Sequence, residues 1–281
     1  MCDSQDSPVE LPLDWNVLWK QDYRRRRSAS DDLPNYWNRR APSFARRGQG
    51  SPYTEAFLAL MAPEPHWSVL DMGCGPGTLA IPLAGLVQRV TAVDFSEVMI
   101  ERLVQGCAEQ GLQNVRAIHG GWEDDWDRAG IGLHDVAIAS RSLIVEDLEE
   151  ALLKLDRSAR HRVYLSFQVG DGPRDKGALE ALGRKVQKGA DYLYVYNLLH
   201  QLGIYANVQI LKLDDERVFA SPEEALEFFQ VFIRDLEPTE EVRLRAYLAE
   251  NLIPKEGVWV LKGRQARDWA LIWWEKDTAG I

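Results

Sequence analysis

The chain has 281 residues, 46% of them apolar, with 43 Asp and Glu against 33 Lys and Arg and a net charge of −10. That length can bury a sizeable core in one large domain or two small ones, and the acid excess repels phosphate backbones and anionic lipid. No apolar run reaches the about 18 residues of a membrane span, and Cys2, Cys74 and Cys107 suit neither a disulfide framework nor a metal spacing. The opening "MCDSQDSPVELPLDW" lacks the basic and apolar regions of a secretory leader, so a cytoplasmic protein is expected.

Residues 1–50 follow no regular period and are rich in Trp and Arg. From Lys20 to Arg47 there are nine Lys or Arg against three Asp. This segment is read as an arm. "SPYTEAFLALMAP" is a short helix, started by Ser51 or Pro52 and ended by Pro63. A regular alternation follows. "WSVLDMG" is an apolar strand entering a glycine turn, and "TLAIPLAGLV" is a helix. "RVTAVDFS" is a second strand, dense in β-branched residues, and "EVMIERLVQGCAEQG" is an amphipathic helix stopped by Gly111. "NVRAIHG", "HDVAIASRS" and "HRVYLSFQVG" supply strands three to five, with the helix "DLEEALLKLDRSA" before the fifth. This rhythm predicts an α/β fold: a doubly wound, Rossmann-like, mostly parallel sheet with helices on both faces.

Beyond Gly170 the pattern changes. "RDKGALEALGRKVQKG", "SPEEALEFFQVFIRDL" and "TEEVRLRAYLAENL" read as helices, the last two with N-caps at Ser221 and Thr239. "GVWVLKG" and "DWALIWWEK" are strand-like and suit an antiparallel hairpin at the sheet edge. The expected organisation is a helical arm over 1–50 and one domain over 51–281 with helical insertions at 171–252.

The turn "DMGCGPGT" occupies the first strand-to-helix crossover, where open α/β sheets bind ligands. No Gly-Lys-Ser or Gly-Lys-Thr follows, so it is not a P-loop. Gly73, Gly75 and Gly77 are spaced G-x-G-x-G rather than in the dinucleotide pattern. Asp71 at its mouth would repel a pyrophosphate but suits an amino group. Asp94 ends the next strand, 17 residues after Gly77, where a carboxylate can accept from ribose hydroxyls. A ribose, a cationic head and no phosphate describe S-adenosylmethionine.

"VLDMGCGPGTLA" followed by "VTAVDFSEVMIERL" resembles the first two cofactor motifs of class I S-adenosylmethionine-dependent methyltransferases. The flavour is that of the small-molecule group that includes the ubiquinone/menaquinone C-methyltransferases. The likeness covers about residues 65–170. It implies that Gly73, Cys74, Gly75 and Gly77 lie against the methionine and ribose portions, with Asp71 near the ammonium. Asp94 would hold the ribose hydroxyls, and Phe95, Ser96 and Met99 would flank the adenine. Trp122 and Glu123, in "GGWEDDW", fall where the family caps the adenine, with Asp124 beside its amino group; Gly121 replaces the usual acid there. Ser140 and Arg141 should face the methyl group. "NYWNRRAPSFARR" looks like the family's lid, with Tyr36, Trp37 and Arg40 as contacts.

The acceptor is read as a small organic molecule, with an anionic one in view. No Asn-Pro-Pro-Tyr run, Pro-Cys nucleophile or Asp-Asn magnesium pair follows the pattern of other methyltransferase classes, and no metal is called for. In "YLYVYNLLHQLGIY", Tyr192, Tyr196 and His200 share one helical side. The functional reading is an aromatic wall over the carboxyl edge with Tyr196 or His200 as proton acceptor; the structural alternative is core tyrosines with hydroxyls at the margin. The Arg24–Arg27 run is either a solvated arm neutralised by the protein's own acids or a contact for an anionic substrate, with nucleic acid disfavoured. Two other readings stay open: an S-adenosylmethionine-binding protein without catalysis, and an RNA or protein methyltransferase recruited through the arginine-rich arm.

Overall fold

A computed structural model describes residues 13–26, 36–38, 50–170, 172, 175–185, 189–213, 217–233, 235–262 and 268–276. The alternation legible from residue 68 onward builds β1 (Ser68–Met72), β2 (Arg89–Asp94), β3 (Val115–His119), β4 (His134–Ser140) and β5 (Ala159–Gln168). Further along lie β6 (Asn207–Leu211), β7 (Val218–Phe219), β8 (Leu252–Lys255), β9 (Val258–Leu261) and β10 (Trp269–Glu275). Seven of these form one sheet in the order β3-β2-β1-β4-β5-β10-β6. The first five are parallel, and β10 runs antiparallel to both β5 and β6. All five residues of β1 are buried, as expected of a central parallel strand covered on both faces.

The helices that cover the first face are α1 (Trp15–Arg26), α5 (Leu148–Arg157) and α7 (Tyr192–Gln201). Their apolar positions join Leu70, Met72, Val93, Ala137 and Ala139 in one core cluster. The second face carries α2 (Pro52–Met61), α3 (Ala80–Ala84) and α4 (Glu97–Glu109). These pack on Val69, Ala92, Val136 and Ile138. Odd and even strand positions therefore look to opposite sides, and that alternation decides below which residues can meet.

The helix expected from Ser51 is α2: Ser51 Oγ accepts from the Thr54 amide, Pro52 opens the first turn, and Ala62 closes it in a left-handed conformation (φ 44°) before Pro63. Ser221 caps α8 (Pro222–Phe232) as expected. In α9 (Pro238–Asn251) the cap is Glu237 rather than Thr239, with a reciprocal capping box to Glu240. Together with α6 (Lys176–Ala181), these helices enclose a third, smaller core under the antiparallel sheet β7-β9-β8.

Two expectations fail here. "GVWVLKG" does not pair with "DWALIWWEK". Glu256 and Gly257 both take positive φ (51° and 83°) and join β8 directly to β9, the twist-matched two-residue hairpin. That leaves β10, buried at Ala270, Leu271, Ile272 and Trp274, as an interior strand. The arm is helical as expected, but its helix α1 packs into the core instead of forming a lid. Within α1, Asn16, Trp19 and Asp22 are buried at helical spacing, and the Trp19 indole donates to the Val145 carbonyl at 2.9 Å. This helix lies on the first face rather than over the cofactor turn.

Candidate active site

The glycine turn is built by β1 handing the chain to α3. The Gly73 and Cys74 amides both donate to the Val93 carbonyl on β2, so the chain must reverse tightly, and Gly73 does so at φ 73°. A Cβ there would stand 2.2 Å from that of Ser142. Ser142 is itself fixed, its hydroxyl donating to the Met72 carbonyl at 2.7 Å. At Gly75 (φ 55°), by contrast, a Cβ would meet nothing within 4 Å. One glycine is required by the protein's own packing; the next leaves a space bare. Gly77 is a packing glycine too, tight against Ile81 and Leu103. Cys74 is buried with its thiol turned to the Gly75 carbonyl. Burial, with Asp71 and Asp94 nearby, pushes that thiol well up, so it is no nucleophile.

Asp71 and Asp94 project toward the second face, like their neighbours Val69 and Ala92. Asp71 is 1% exposed, and its buried Oδ2 has no hydrogen-bond partner among the described residues. Burial first, and then the charge of Asp94, push its carboxyl up to about 7, against the opposing Ala80 amide. Asp94 accepts from the Gly75 amide at 2.8 Å and the Ser96 amide at 2.9 Å. Its carboxyl is also raised, by burial above all. An orphaned carboxylate oxygen, a second acid beside it and an open glycine in one concavity fit a ligand with a cationic group and hydroxyl donors. S-adenosylmethionine carries both an ammonium and ribose hydroxyls, so the residues present fit it.

Around this centre the expected adenine contacts divide. Ser96 caps α4 by accepting from the Met99 amide and donates to Asn38 Oδ1 at 2.6 Å. Asn38 went unnoticed in the sequence, yet it brings the arm onto the second cofactor motif, beside Tyr36 and Trp37, whose rings meet edge to face at 5.4 Å. Arg40 lies outside the described residues. Phe95 is half-buried and Met99 buried. Trp122 is a core residue: its ring packs with Trp126 on the first face, and its indole donates to the Ser142 carbonyl at 3.1 Å. That bond braces the loop that carries Ser142. Glu123 is exposed, while Asp124 accepts from the Gly121 amide at 2.7 Å.

At the end of β4, Ser140 has the parity of Val136 and Ile138 and so looks to the second face. There it meets Tyr53 of α2. The Tyr53 hydroxyl lies 2.6 Å from Ser140 Oγ and 2.6 Å from Ser166 Oγ on β5. Burial raises this phenol's pKa, although the Arg141 cation and both serines oppose the shift. Arg141 takes a left-handed backbone (φ 57°), a conformation that costs a non-glycine residue about 1–2 kcal/mol. Its amide is held at 3.1 Å from Ser166 Oγ and 3.3 Å from the Ser166 carbonyl. The guanidinium carbon sits 4.1 Å from the centre of the Tyr53 ring and 5.5 Å from that of Trp269. Neither Tyr53, Ser166 nor Trp269 was singled out in the sequence. Each lies on a different element, and only the sheet brings them together.

Tyr196 and His200 belong to neither group. The Ala190 carbonyl, just before α7, accepts from Gln168 Nε2 at the carboxyl end of β5. The chain after α7 enters β6 at Asn207, which pairs with Trp273 as Tyr164 does. Helix α7 thus descends the first face, away from the carboxyl edge. It is anchored there by Val195, Leu198 and Leu199. His200 is exposed near its lower end and meets Tyr205, itself 79% exposed, at 5.6 Å. Tyr196 is half-buried on the same face. The sheet stands between them and Arg141, so they build no wall over the acceptor edge. The described cations of α1 are neutralised at home: Arg24 pairs with Glu146, Arg25 and Arg26 with Asp22, and Lys20 with Asp147, each at 2.6 Å, while Arg27 lies outside the described residues. Although burial opposes it, the Ala190 amide and these arginines hold the Asp22 carboxyl below its ordinary range.

Residues 69–161 match the methyltransferase-domain family. With the sheet order and the two acidic strand ends, this defines the class: an S-adenosylmethionine-dependent methyltransferase of Rossmann-like fold. An uncharacterized protein of Haemophilus influenzae is 33% identical over 247 residues, 87% of this chain and 90% of that one, and the chain belongs to its family. The fold is shared with an S-adenosylmethionine-dependent methyltransferase of Thiobacillus denitrificans solved with S-adenosyl-L-homocysteine. The TM-score is 0.53 at 17% identity, over 88% of this chain and 100% of the other. A 23S rRNA (uracil(1939)-C(5))-methyltransferase of Shewanella is 31% identical over 134 residues, 47% of this chain but only 29% of the enzyme's length. No helix among the described residues is long and apolar enough to cross a membrane.

Proposed function

We propose that the chain transfers a methyl group from S-adenosylmethionine to a small organic acceptor, as in the small-molecule group that its motifs resemble. The observation that carries this reading is the pairing of the arginines in α1. Arg24, Arg25 and Arg26 are each engaged by a carboxylate of the protein itself, on a chain whose net charge is −10. Cations already committed in this way are poorly placed to neutralise the phosphates of an RNA. The small-molecule reading also suits the acceptor edge, a compact set of two serine hydroxyls, one phenol, one guanidinium and one indole.

The bound cofactor supplies an activated methyl on a sulfonium leaving group. The chain's own part is placement. Asp71 and Asp94 fix the two polar ends of the cofactor. Gly75 gives it close approach, and Asn38 ties the arm to the motif's rim. Ser140 and Arg141 then define where an acceptor atom can stand, within about 3–3.5 Å of the methyl carbon in a productive pose. Tyr53, its phenol raised by burial, is a hydrogen-bond partner rather than a strong base.

The test is incubation of the purified chain with methyl-labelled S-adenosylmethionine and a fractionated cell extract. Label is expected in the low-molecular-weight fraction. Label in RNA or protein would replace the acceptor reading, and no transfer to any fraction would favour a cofactor-binding protein without catalysis.

A further inference from the structure

Among the described residues, Arg141 is a cation without an anionic partner. Its guanidinium is half-buried, and among the described residues its side chain forms no ion pair and no hydrogen bond. Four other arginines out of full solvent meet carboxylates: Arg26 pairs with Asp22, Arg162 with Glu275, Arg184 with Glu240 and Arg217 with Asp175. Half-buried Arg102 on α4 shares the want of an ion pair among the described residues but not the aromatic mounting. In so acidic a chain a partner would be easy to supply. Instead Arg141 rests on two aromatic rings, which stabilise the cation without occupying its N–H edge.

The mounting is rigid at each point. The Arg141 backbone is left-handed and clamped to Ser166. The Tyr53 ring beneath it cannot turn away, because its hydroxyl is shared between Ser140 and Ser166. Trp269 opens the interior strand β10, paired with Gln168 and Leu211 on either side. Asp71 opens toward the same face but is not Arg141's partner: the influence that raises it after burial is Asp94. The two sites divide the charges, with acids around the cationic cofactor and a lone cation on the acceptor side.

We infer that Arg141, presented on Tyr53 and Trp269, binds an oxyanion of the methyl acceptor, which is therefore a small molecule bearing a carboxylate or a phosphate. The proposal rests on the methyltransferase reading and deepens it. A planar guanidinium with a free edge accepts a carboxylate or phosphate through two parallel N–H donors, and that fixes orientation as well as distance. Lysine would keep the charge but not the fork. Because the anion sits to one side of the methyl, Arg141 is a residue of recognition and specificity; no proton passes through it.

The experiment uses the full chain saturated with S-adenosyl-L-homocysteine. Benzoate, phenyl phosphate, benzyl alcohol and benzylamine are titrated in separately, followed by calorimetry and tryptophan fluorescence. Wild type is compared with Arg141→Gln and Arg141→Lys, and the homocysteine product is titrated into each as the control. Expected is binding of benzoate or phenyl phosphate in preference to the alcohol and the amine. The preferred one of the pair identifies the anion. Arg141→Gln should weaken it at least tenfold, Arg141→Lys less, with unchanged affinity for S-adenosyl-L-homocysteine. Equal binding of benzylamine, an unaltered anion affinity in Arg141→Gln, or no anion binding to the saturated wild type would each overturn the proposal. A wild-type chain that takes up no S-adenosyl-L-homocysteine would remove the methyltransferase reading and this proposal with it, a failure visible in the control titration.

Discussion

The two halves of the site are assembled in opposite ways. The cofactor half is nearly continuous: Asp71 to Gly77 is a single turn, and Asp94 closes the neighbouring strand that pairs with it in register. The proposed acceptor half has no segment of its own. It takes Tyr53 from α2, Ser140 and Arg141 from β4, Ser166 from β5 and Trp269 from β10. A local site is dictated by turn geometry, so spacing reveals it. A distributed site exists only once strand order and side-chain parity are settled, and no spacing announces it.

The strongest way to break the cofactor half is to exchange its two kinds of glycine. In Gly73→Ala the new methyl would overlap Ser142 Cβ, which cannot swing aside, and the residue would keep an unfavourable φ. Overpacking of about 1–3 kcal/mol and left-handed strain of about 1–2 kcal/mol should together lower Tm by on the order of 10 °C. In Gly75→Ala only the backbone strain applies, since nothing lies within 4 Å of the added carbon. Thermal melts should rank the two far apart, while calorimetry with S-adenosyl-L-homocysteine should show Gly75→Ala losing affinity out of proportion to its stability. Equal melts for the two variants would contradict the assignment of a structural and a ligand glycine.

Next in size is Asp94→Ala. It removes two charge-assisted acceptors for ribose hydroxyls, each worth roughly 1.5–3 kcal/mol. It also frees the Gly75 and Ser96 amides that Asp94 now holds. Affinity for S-adenosyl-L-homocysteine should fall at least tenfold by calorimetry, and unchanged binding would remove the ribose site from Asp94.

A milder lever is pH, through Asp71. Its carboxyl is raised to about 7 when no ligand is bound, whereas an ammonium beside it needs the ionised form. Affinity should therefore be level above about pH 8 and weaken as pH falls through 7, by about tenfold at pH 6. Binding near neutrality should release a proton, seen as a dependence of the calorimetric heat on buffer ionisation. The sign for the free protein is the reverse. A raised carboxyl favours the fold below the ordinary carboxylate range, and that contribution is lost as pH rises through about 7. Asp71→Asn should flatten both profiles.

The sequence made the parallel sheet legible because apolar strands and amphipathic helices alternate without interruption up to residue 168. It lost the thread after that. Helix α1 was hidden by charge: four of its twelve residues are Lys or Arg, and only Asn16, Trp19 and Asp22 turn inward. Strand β6 was absorbed into the tyrosine-rich run, since "NVQIL" is too short to stand out. The Glu-Gly hairpin between β8 and β9 was readable from the turn alone, but attention to the two longest apolar runs paired the wrong strands.

The smallest effect is expected where the sequence pointed most vividly, at Tyr196 and His200. Their helical spacing is real, yet α7 uses Val195, Leu198 and Leu199 to dock on the first face, while Asp71, Ser140 and Tyr53 share the second. From Tyr192 to His200 the helix axis advances about 12 Å, and β6, which follows, begins four residues and so about 13 Å short of its carboxyl end at Leu211. Among the described residues, His200 has exposed Tyr205 as its aromatic neighbour. His200→Ala and Tyr196→Phe should accordingly leave S-adenosyl-L-homocysteine affinity and methyl transfer within about twofold of wild type, with stability changes of about 0.5 kcal/mol for the exposed histidine. A general base would behave otherwise, its loss lowering turnover by roughly 10²–10⁴-fold with binding intact. Should His200→Ala show that loss, α7 would have to swing across the sheet edge during catalysis, and the division of the molecule into a cofactor face and a supporting face would have to be given up.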